Sequence, residues 1–414
     1  MKGLSVAIFM ATLSCSVYGQ SISKTMKHLP DTGDTIGYTA TYGEDNDFSI
    51  FQPFFIDNGD GTVTDTVTGL MWQKTDGGEM TIERARIYCD SLTLAGHTNW
   101  RLPNPYEGFS ILNLNRLNPA MDTSFFPNSV AEYWWTGVMD ISDTAKQWAT
   151  NAGGGIGNHP RAETISAGGI KRFHARAVRD ITSPPVLPAH FTDNGNGTVT
   201  DNLTALTWLN SPLPDTMAWE QALTGADTCT IGGYTDWRMP NIKELQSVTD
   251  FTMFNPAFSP LFTAGAGNRF YWSSTTQYNN APNAWHLSSQ HGITTYITKT
   301  RHIYALLVRG NTTTLAANNT ALNQAIEATS FPNPAFGKVT ICCVLSNSKR
   351  TTLTIVNAMG QIIHEQTCDG CKDGLNTWEW RTDDAPQGLY FYRVCTERND
   401  FSFHTYTGKI VLGN

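Results

Sequence analysis

Hydrophobic and polar positions alternate in short runs along most of the chain, and few stretches switch to a helical period. Segments such as "TVTD" (Thr62 to Asp65) read as short strands entering and leaving tight turns. In "TIERARIYCDSL", from Thr81 to Leu92, the residues Ile82, Ala85, Ile87, Cys89 and Leu92 fall at roughly helical spacing. "MAWEQALTGA", from Met217 to Ala226, repeats that spacing with Trp219, Ala222 and Leu223. A second short helix is predicted after each Pro-Asn pair, in "PYEGFSILNLN" and "IKELQSVTDF", with Asn104 and Asn241 as caps. The remainder is aromatic-rich strand. The pattern predicts an α+β class with modest helix.

The pattern also occurs twice. "DNGDGTVTDTVTGLMW" (Asp57 to Trp72) returns as "DNGNGTVTDNLTALTW" (Asp193 to Trp208). "NWRLPNPYE" from Asn99 returns as "DWRMPNIKE" from Asp236, and "NPAMDTSFFP" from Asn118 as "NPAFSPLF" from Asn255. "YWWTG" from Tyr133 pairs with "YWSST" from Tyr271, which sets Trp134 beside Trp272 and leaves Trp135 without a counterpart. The offset is 136 to 138 residues and shrinks to 130 only at the closing "AVRD" (Ala177 to Asp180) and "LVRG" (Leu307 to Gly310), as expected of two tandem domains and not of a solenoid. The division this gives is modules at 51–181 and 191–310, a stiff Pro-rich spacer at 182–190 and a polar leader at 20–50. A linker at 311–328 leads to a tail at 329–414.

The acidic loop at Asp57 invites a calcium reading, but an EF-hand loop needs a closing Glu that neither copy supplies. Asp60 also becomes Asn196 in the second copy, while both copies keep their glycines, so turn chemistry explains the loop. Asp65 and Asp201 stand where a second tight turn begins and are expected to cap it.

Composition narrows the setting. Charged residues make up 15% of the chain, against 40% hydrophobic and 12 Trp, which suits a β-rich exported protein. The net charge of −8 gives no whole-chain attraction for nucleic acid or anionic membrane. "MKGLSVAIFMATLSCSVYGQ" reads as a signal peptide at 1–19, and no later apolar run is long enough to be a transmembrane helix. Of the 8 cysteines, five crowd the last quarter, where "CDGC" (Cys368 to Cys371) is expected to be a disulfide and not a metal site.

The ordered motifs "DNGDGTVTD", "TGLMWQK", "WRLPN", "YWWT" and "VRD" resemble the Legionella collagen-like protein C-terminal domain family. The resemblance implies two C-type-lectin-like modules in tandem, related to the formylglycine-generating-enzyme fold. It further implies an adhesin-like, non-enzymatic role on glycans. In the tail, "FPNPAFGKVTI", "LTIVNAMGQII", "GLNTWEW", "PQGLYFYRV" and "TGKIVL" resemble the sorting domain of type IX secretion. That resemblance implies an Ig-like β-sandwich, recognition by the type IX machinery, and a cell-surface or extracellular location.

Candidate chemistry is sparse. There is no Ser-His-Asp signature and no "GxSxG", and Cys89 and Cys229 are out of register, against the cysteine-pair chemistry of the formylglycine-generating enzyme. Glu107 and Glu244 fall in first helical turns, where capping explains them. Neither a cofactor nor a metal is expected. "KRFHARAVRD", from Lys171 to Asp180, would as a strand place Arg172, His174 and Arg176 on one face, with His159 and Arg161 just upstream. Such a stripe could hold an anionic polysaccharide through bidentate arginines, and Trp135 could stack on a sugar ring. A charged edge strand is the competing reading of the stripe. The expected partner is therefore a glycan or anionic polysaccharide. The alternatives are a polysaccharide-acting enzyme or accessory with its site between the modules, and a structural surface-layer component.

Overall fold

The computed structural model describes residues 26–127, 129, 132–162, 173–181, 189–263, 269–310, 313–314, 329–345, 348–357, 361–372, 374–383, 385–398 and 403–413. The expected signal peptide, Arg172, most of the Pro-rich spacer and most of the linker before the tail lie outside these residues. The chain is predominantly β-sheet with a few short helices.

Each module opens on a four-stranded sheet whose last strand comes from the module's far end. In the first module Phe55–Asp57, Thr62–Asp65 and Leu70–Gln73 are joined by Val178–Asp180; in the second, Phe191–Asp193, Thr198–Asp201 and Thr207–Leu209 are joined by Val308–Arg309. The acidic loop is a turn in both copies. Gly59 and Gly61 take φ of +76° and +88°, and their counterparts Gly195 and Gly197 take +73° and +82°. Asp57 accepts from the Gly59 N–H at 3.1 Å, and Asp60 from the Thr62 N–H at 3.0 Å. Asp65 and Asp201 each accept two N–H groups of the following turn, as expected of caps.

Four short helices follow from the predicted spacing: α1 (Ile82–Ser91), α2 (Pro105–Ser110), α3 (Trp219–Asp227) and α4 (Ile242–Ser247). Ile82, Ala85 and Cys89 of α1 are buried, whereas Ile87 points outward. Asn104 and Asn241 complete capping boxes with Glu107 and Glu244. Those glutamates do more than cap. Arg101 forks onto Glu107 at 2.6 and 2.8 Å, and Arg238 onto Glu244 at 2.7 and 2.6 Å.

The two modules are not beads on a spacer. One seven-stranded sheet runs from Phe270–Thr276, Asn283–Ser288 and Thr294–Thr298 of the second module into the first. It continues there through Ile156–Pro160, Lys146–Asn151, Tyr133–Met139 and Phe173–His174. Thr294 and Ile156 form the join. Phe251 packs edge-on against Tyr106 and Trp148 across the seam, so one apolar core serves both modules. Lys243 is fully buried there and donates to the carbonyl of Ser110 at 2.8 Å. Burial pushes its amine down to about 8.

The leader, read from sequence as a polar approach segment, is a strap laid over both modules. Its Lys27 N–H donates to the Thr68 carbonyl, and its Thr32 carbonyl accepts from Leu114 in the first module. From the second module, Lys243 reaches the Asp31 carbonyl at 2.7 Å and Thr275 Oγ1 reaches Asp45 Oδ2 at 2.7 Å. Phe48–Ser49 then pairs with Thr313–Thr314 beyond the second module. Polar composition hides this order because side-chain oxygens replace strand partners. Asp31 accepts the Ile50 and Gly33 N–H groups, and Glu44 accepts that of Tyr38.

The tail is a separate seven-stranded unit, in which Thr329–Phe336 pairs with Lys338–Leu345 and, at Ala335, with Phe403–Leu412. Val339, Ile341, Trp378 and Trp380 from one side share a core with Leu353, Ile355, Tyr390 and Val394 from the other. Cys368 and Cys371 form a disulfide, as the sequence led one to expect. Among the described residues no helix is long and apolar enough to cross a membrane.

Candidate functional site

The residues of the expected basic stripe are drawn together, but they face inward. Phe173–His174 pairs in parallel with the start of Tyr133–Met139 and is bridged to Glu79 on its other side, so it is not a solvated edge. His174 and Arg176 are both buried, contrary to the solvent-facing stripe. They meet at Asp76, which stands in the loop before α1 and is not among the expected site residues. His174 Nδ1 lies 2.8 Å from Asp76 Oδ1, Arg176 Nη2 lies 3.5 Å from Oδ2, and Trp134 Nε1 donates to Oδ2 at 3.1 Å. Burial raises the Asp76 carboxyl, but the His174 bond, the Arg176 charge and the Trp134 donor outweigh it and hold it below the usual range. Arg176 also donates to the carbonyls of Gln73 and Lys74 and to Ser129 Oγ. Burial pushes its guanidinium down to about 10.

The remaining predicted residues disperse. Trp135 is fully buried, stacked on Phe173 at 4.5 Å, with its Nε1 donating to the Met80 carbonyl at 2.9 Å; it offers no face to a sugar. Its counterpart is Trp272, whose Nε1 makes the same bond to Met217. Alignment on the tyrosines misled by one position, and Trp134 corresponds to Tyr271. His159 packs on Tyr133 at 4.3 Å, and Arg161 is held by Glu83 at 3.0 Å. Arg309 pairs with Asp236, while Arg179 donates to Asn99 at the matching place.

The polar cluster belongs to the first module alone. Gly77 and Leu213 make equivalent bonds to Ala175 and Ala305, so Asp76, His174 and Arg176 become Pro212, Tyr304 and Leu306. Arg176 carries the Phe126 ring at 5.1 Å, and Phe126 meets Phe55 edge-on at 5.3 Å. Phe55 in turn packs against Phe125 at 5.7 Å. The cluster therefore buttresses a set of aromatic rings.

Of these rings, Phe55 and Phe125 line a cleft of about 300 Å³. Phe54, Phe55 and Phe125 supply its apolar surface, Asn113 and Asp122 its polar side, and Gly33 of the strap with Gln52 just beyond it the facing wall. Asn113 Oδ1 accepts from the Asn115 N–H at 3.0 Å, and Asp122 Oδ1 from the Ser124 N–H at 3.0 Å. Asp122 Oδ1 also faces Arg116 Nη2 at 3.6 Å, so both side chains are fixed in direction, with Asp122 Oδ2 and the Asn113 amide nitrogen left to bond. Among the residues that line the cleft none is cationic. In the second module Ser259 replaces Asp122 and Asp250 replaces Asn113.

Comparison with known proteins places these features. The model of the Lcl C-terminal domain matches residues 61–179 and again 197–309. The secretion system C-terminal sorting domain matches residues 329–411. Curated proteins give no match. Among solved structures, dimeric latent PorU from Porphyromonas gingivalis is 11% identical over 67% of this chain and 24% of that one, with a TM-score of 0.19. An endonuclease/exonuclease/phosphatase from Beutenbergia cavernae is 10% identical over 60% of this chain and 79% of that one, with a TM-score of 0.16. Scores this low carry no argument about fold. The tail is a type IX sorting domain and directs export to the cell surface or the extracellular space. With two matched copies filling more than half its length, the chain belongs to the Lcl C-terminal domain family.

Proposed function

We propose that the exported chain is an adhesin-like binding protein, without catalysis of its own, whose first-module cleft takes a glycan. The observation that carries this reading is the lining. Aromatic rings offer flat apolar faces, and the amide and carboxylate beside them supply the donors and acceptors that ring hydroxyls bond. The arrangement favours a neutral glycan over a sulfated one. His174, Arg176 and Arg161, which the anionic reading needed free, are buried or ion-paired. In this reading the modules are C-type-lectin-like and the tail is an Ig-like sandwich. An enzyme with its site between the modules finds less support. The space at the seam, beside Tyr106 and Lys243, is about 20 Å³, room for roughly one water.

An array of neutral and sulfated oligosaccharides, probed with the mature chain, tests the proposal. Retention of neutral ligands that is lost in Asn113→Ala and Phe125→Ala is the expected result. Binding confined to sulfated ligands, and unchanged in those variants, would remove the cleft from consideration.

A further inference from the structure

The cleft's outer wall is held in place from the other module. Gly33 sits in the strap with φ of +80°, so close to Asn113 that a β-carbon there would stand 3.0 Å from that side chain. Next to Gly33, Thr32 accepts the Leu114 N–H through its carbonyl and donates its hydroxyl to Asp45 Oδ2 at 2.8 Å. The same Asp45 oxygen takes its second bond from Thr275 Oγ1, in the second module. Thr275 is itself fixed, because its hydroxyl oxygen accepts the Ile242 N–H at the start of α4. One position along α4, Lys243 holds the Asp31 carbonyl, two residues before Gly33. Thr275 and Lys243 thus seat the strap at two points flanking the cleft wall, though neither lines the cleft.

We infer that Thr275 and Lys243 are positioning residues for the first module's cleft: they fix the strap against the second module and so set the Gly33 and Gln52 wall opposite Asn113 and Phe125. This gives the second module a function that its own divergent residues do not suggest. It lacks the Asp76 cluster and the cleft's polar pair, and serves as the platform on which its neighbour's site is completed. The functional meaning rests on the glycan reading of the cleft; the mechanical coupling does not.

Hydrogen exchange on the ligand-free mature chain separates the two. Thr275→Val keeps the side-chain volume but removes the hydroxyl, and is expected to speed exchange in 31–36 and 111–115 roughly ten-fold, as for loss of one buried hydrogen bond. Exchange in Tyr133–Met139 stays at the wild-type rate, and Thr275→Ser, which restores the hydroxyl, returns the cleft segments to it. Unchanged exchange in both cleft segments overturns the inference whatever the cleft binds. Should Thr275→Val loosen the second module as a whole, Asp45→Ala, which removes the shared acceptor from within the strap, gives the same readout. Cellohexaose and chitohexaose then serve as neutral probes of function. Weaker retention of either probe by Thr275→Val, with Thr275→Ser rescuing it, supports the inference. Retention lost in Phe125→Ala but intact in Thr275→Val overturns the functional coupling, and a Phe125→Ala chain that retains the probes as wild type does counts against the glycan reading alone.

Discussion

Tyr106 and Lys243 occupy the same position in the two modules, and each reaches across the seam to a backbone carbonyl of the other. The Tyr106 hydroxyl donates to Thr249 just beyond α4, and Lys243 Nζ donates to Ser110 at the end of α2. The repeat is thus a pseudo-symmetric pair built into one chain, with unlike residues doing like work. Both modules are predicted to unfold in one transition when followed by tryptophan fluorescence and by far-UV circular dichroism. Lys243→Met leaves two buried carbonyls unmet and lowers stability by about 2 kcal/mol in denaturant titration. Separate transitions for the two modules, beyond the one expected of the separate tail, would contradict this.

The arginine–glutamate forks differ in burial, and their energetics should differ with it. Arg238 is 5% exposed beside a fully buried Glu244, whereas Arg101 is 33% exposed and keeps Asp180 as a second partner at 3.0 Å. Glu244→Gln strands a buried cation and is expected to cost about 3–5 kcal/mol. Glu107→Gln costs clearly less. Equal losses in paired equilibrium unfolding curves would refute the difference.

The Asp76 cluster makes a cycle possible because the second module shows its apolar alternative. Arg176→Leu alone leaves a buried carboxylate short of a cation and destabilises by about 3 kcal/mol or more. Adding Asp76→Asn removes that charge, so the double variant is predicted to be more stable than Arg176→Leu. Additive losses would mean that the two side chains are not coupled.

Much of this fold is legible in the sequence where the signal is local. The turn glycines, the Asn104 and Asn241 caps and the repeated Trp72, Trp100, Trp208 and Trp237 all sit where their spacing places them. What sequence misses is non-local. Strand periodicity puts His174 and Arg176 on one face correctly but cannot say that Asp76, about 100 residues away, covers it. The strap looks like a polar leader because its Asp31, Asp34 and Glu44 are satisfied by backbone N–H groups of the strap itself. Trp135 looks unmatched because the chain between landmarks gains and loses single residues.

The strap also carries a pH dependence. Burial raises the Asp34 carboxyl from its ordinary 3.8 to about 7, with Glu44 and Asp31 adding to the rise and the Ile36 and Thr35 N–H groups opposing it. Asp45 and Glu44 are raised as well, chiefly by burial. Because the folded state holds these protons more tightly, the contribution is fully present below about pH 4 and fades as pH rises toward 7. The facing cations Lys299 and Lys243 are lowered by burial, and Lys243, at about 8, changes charge above this window. Hydrogen exchange of 31–36, corrected for intrinsic rates, is expected to quicken between pH 5 and 7. Asp34→Asn flattens that slope, and a slope unchanged by it would exclude Asp34 as the source.

Hydroxyl-radical footprinting of the mature chain with and without its best neutral oligosaccharide tests the cleft most directly. Protection is predicted at Phe54 and Phe125 in the first module, with no change at Phe191 and Leu261 of the second. Protection elsewhere, with Phe54 and Phe125 as reactive as in the free protein, would contradict the cleft as the binding site.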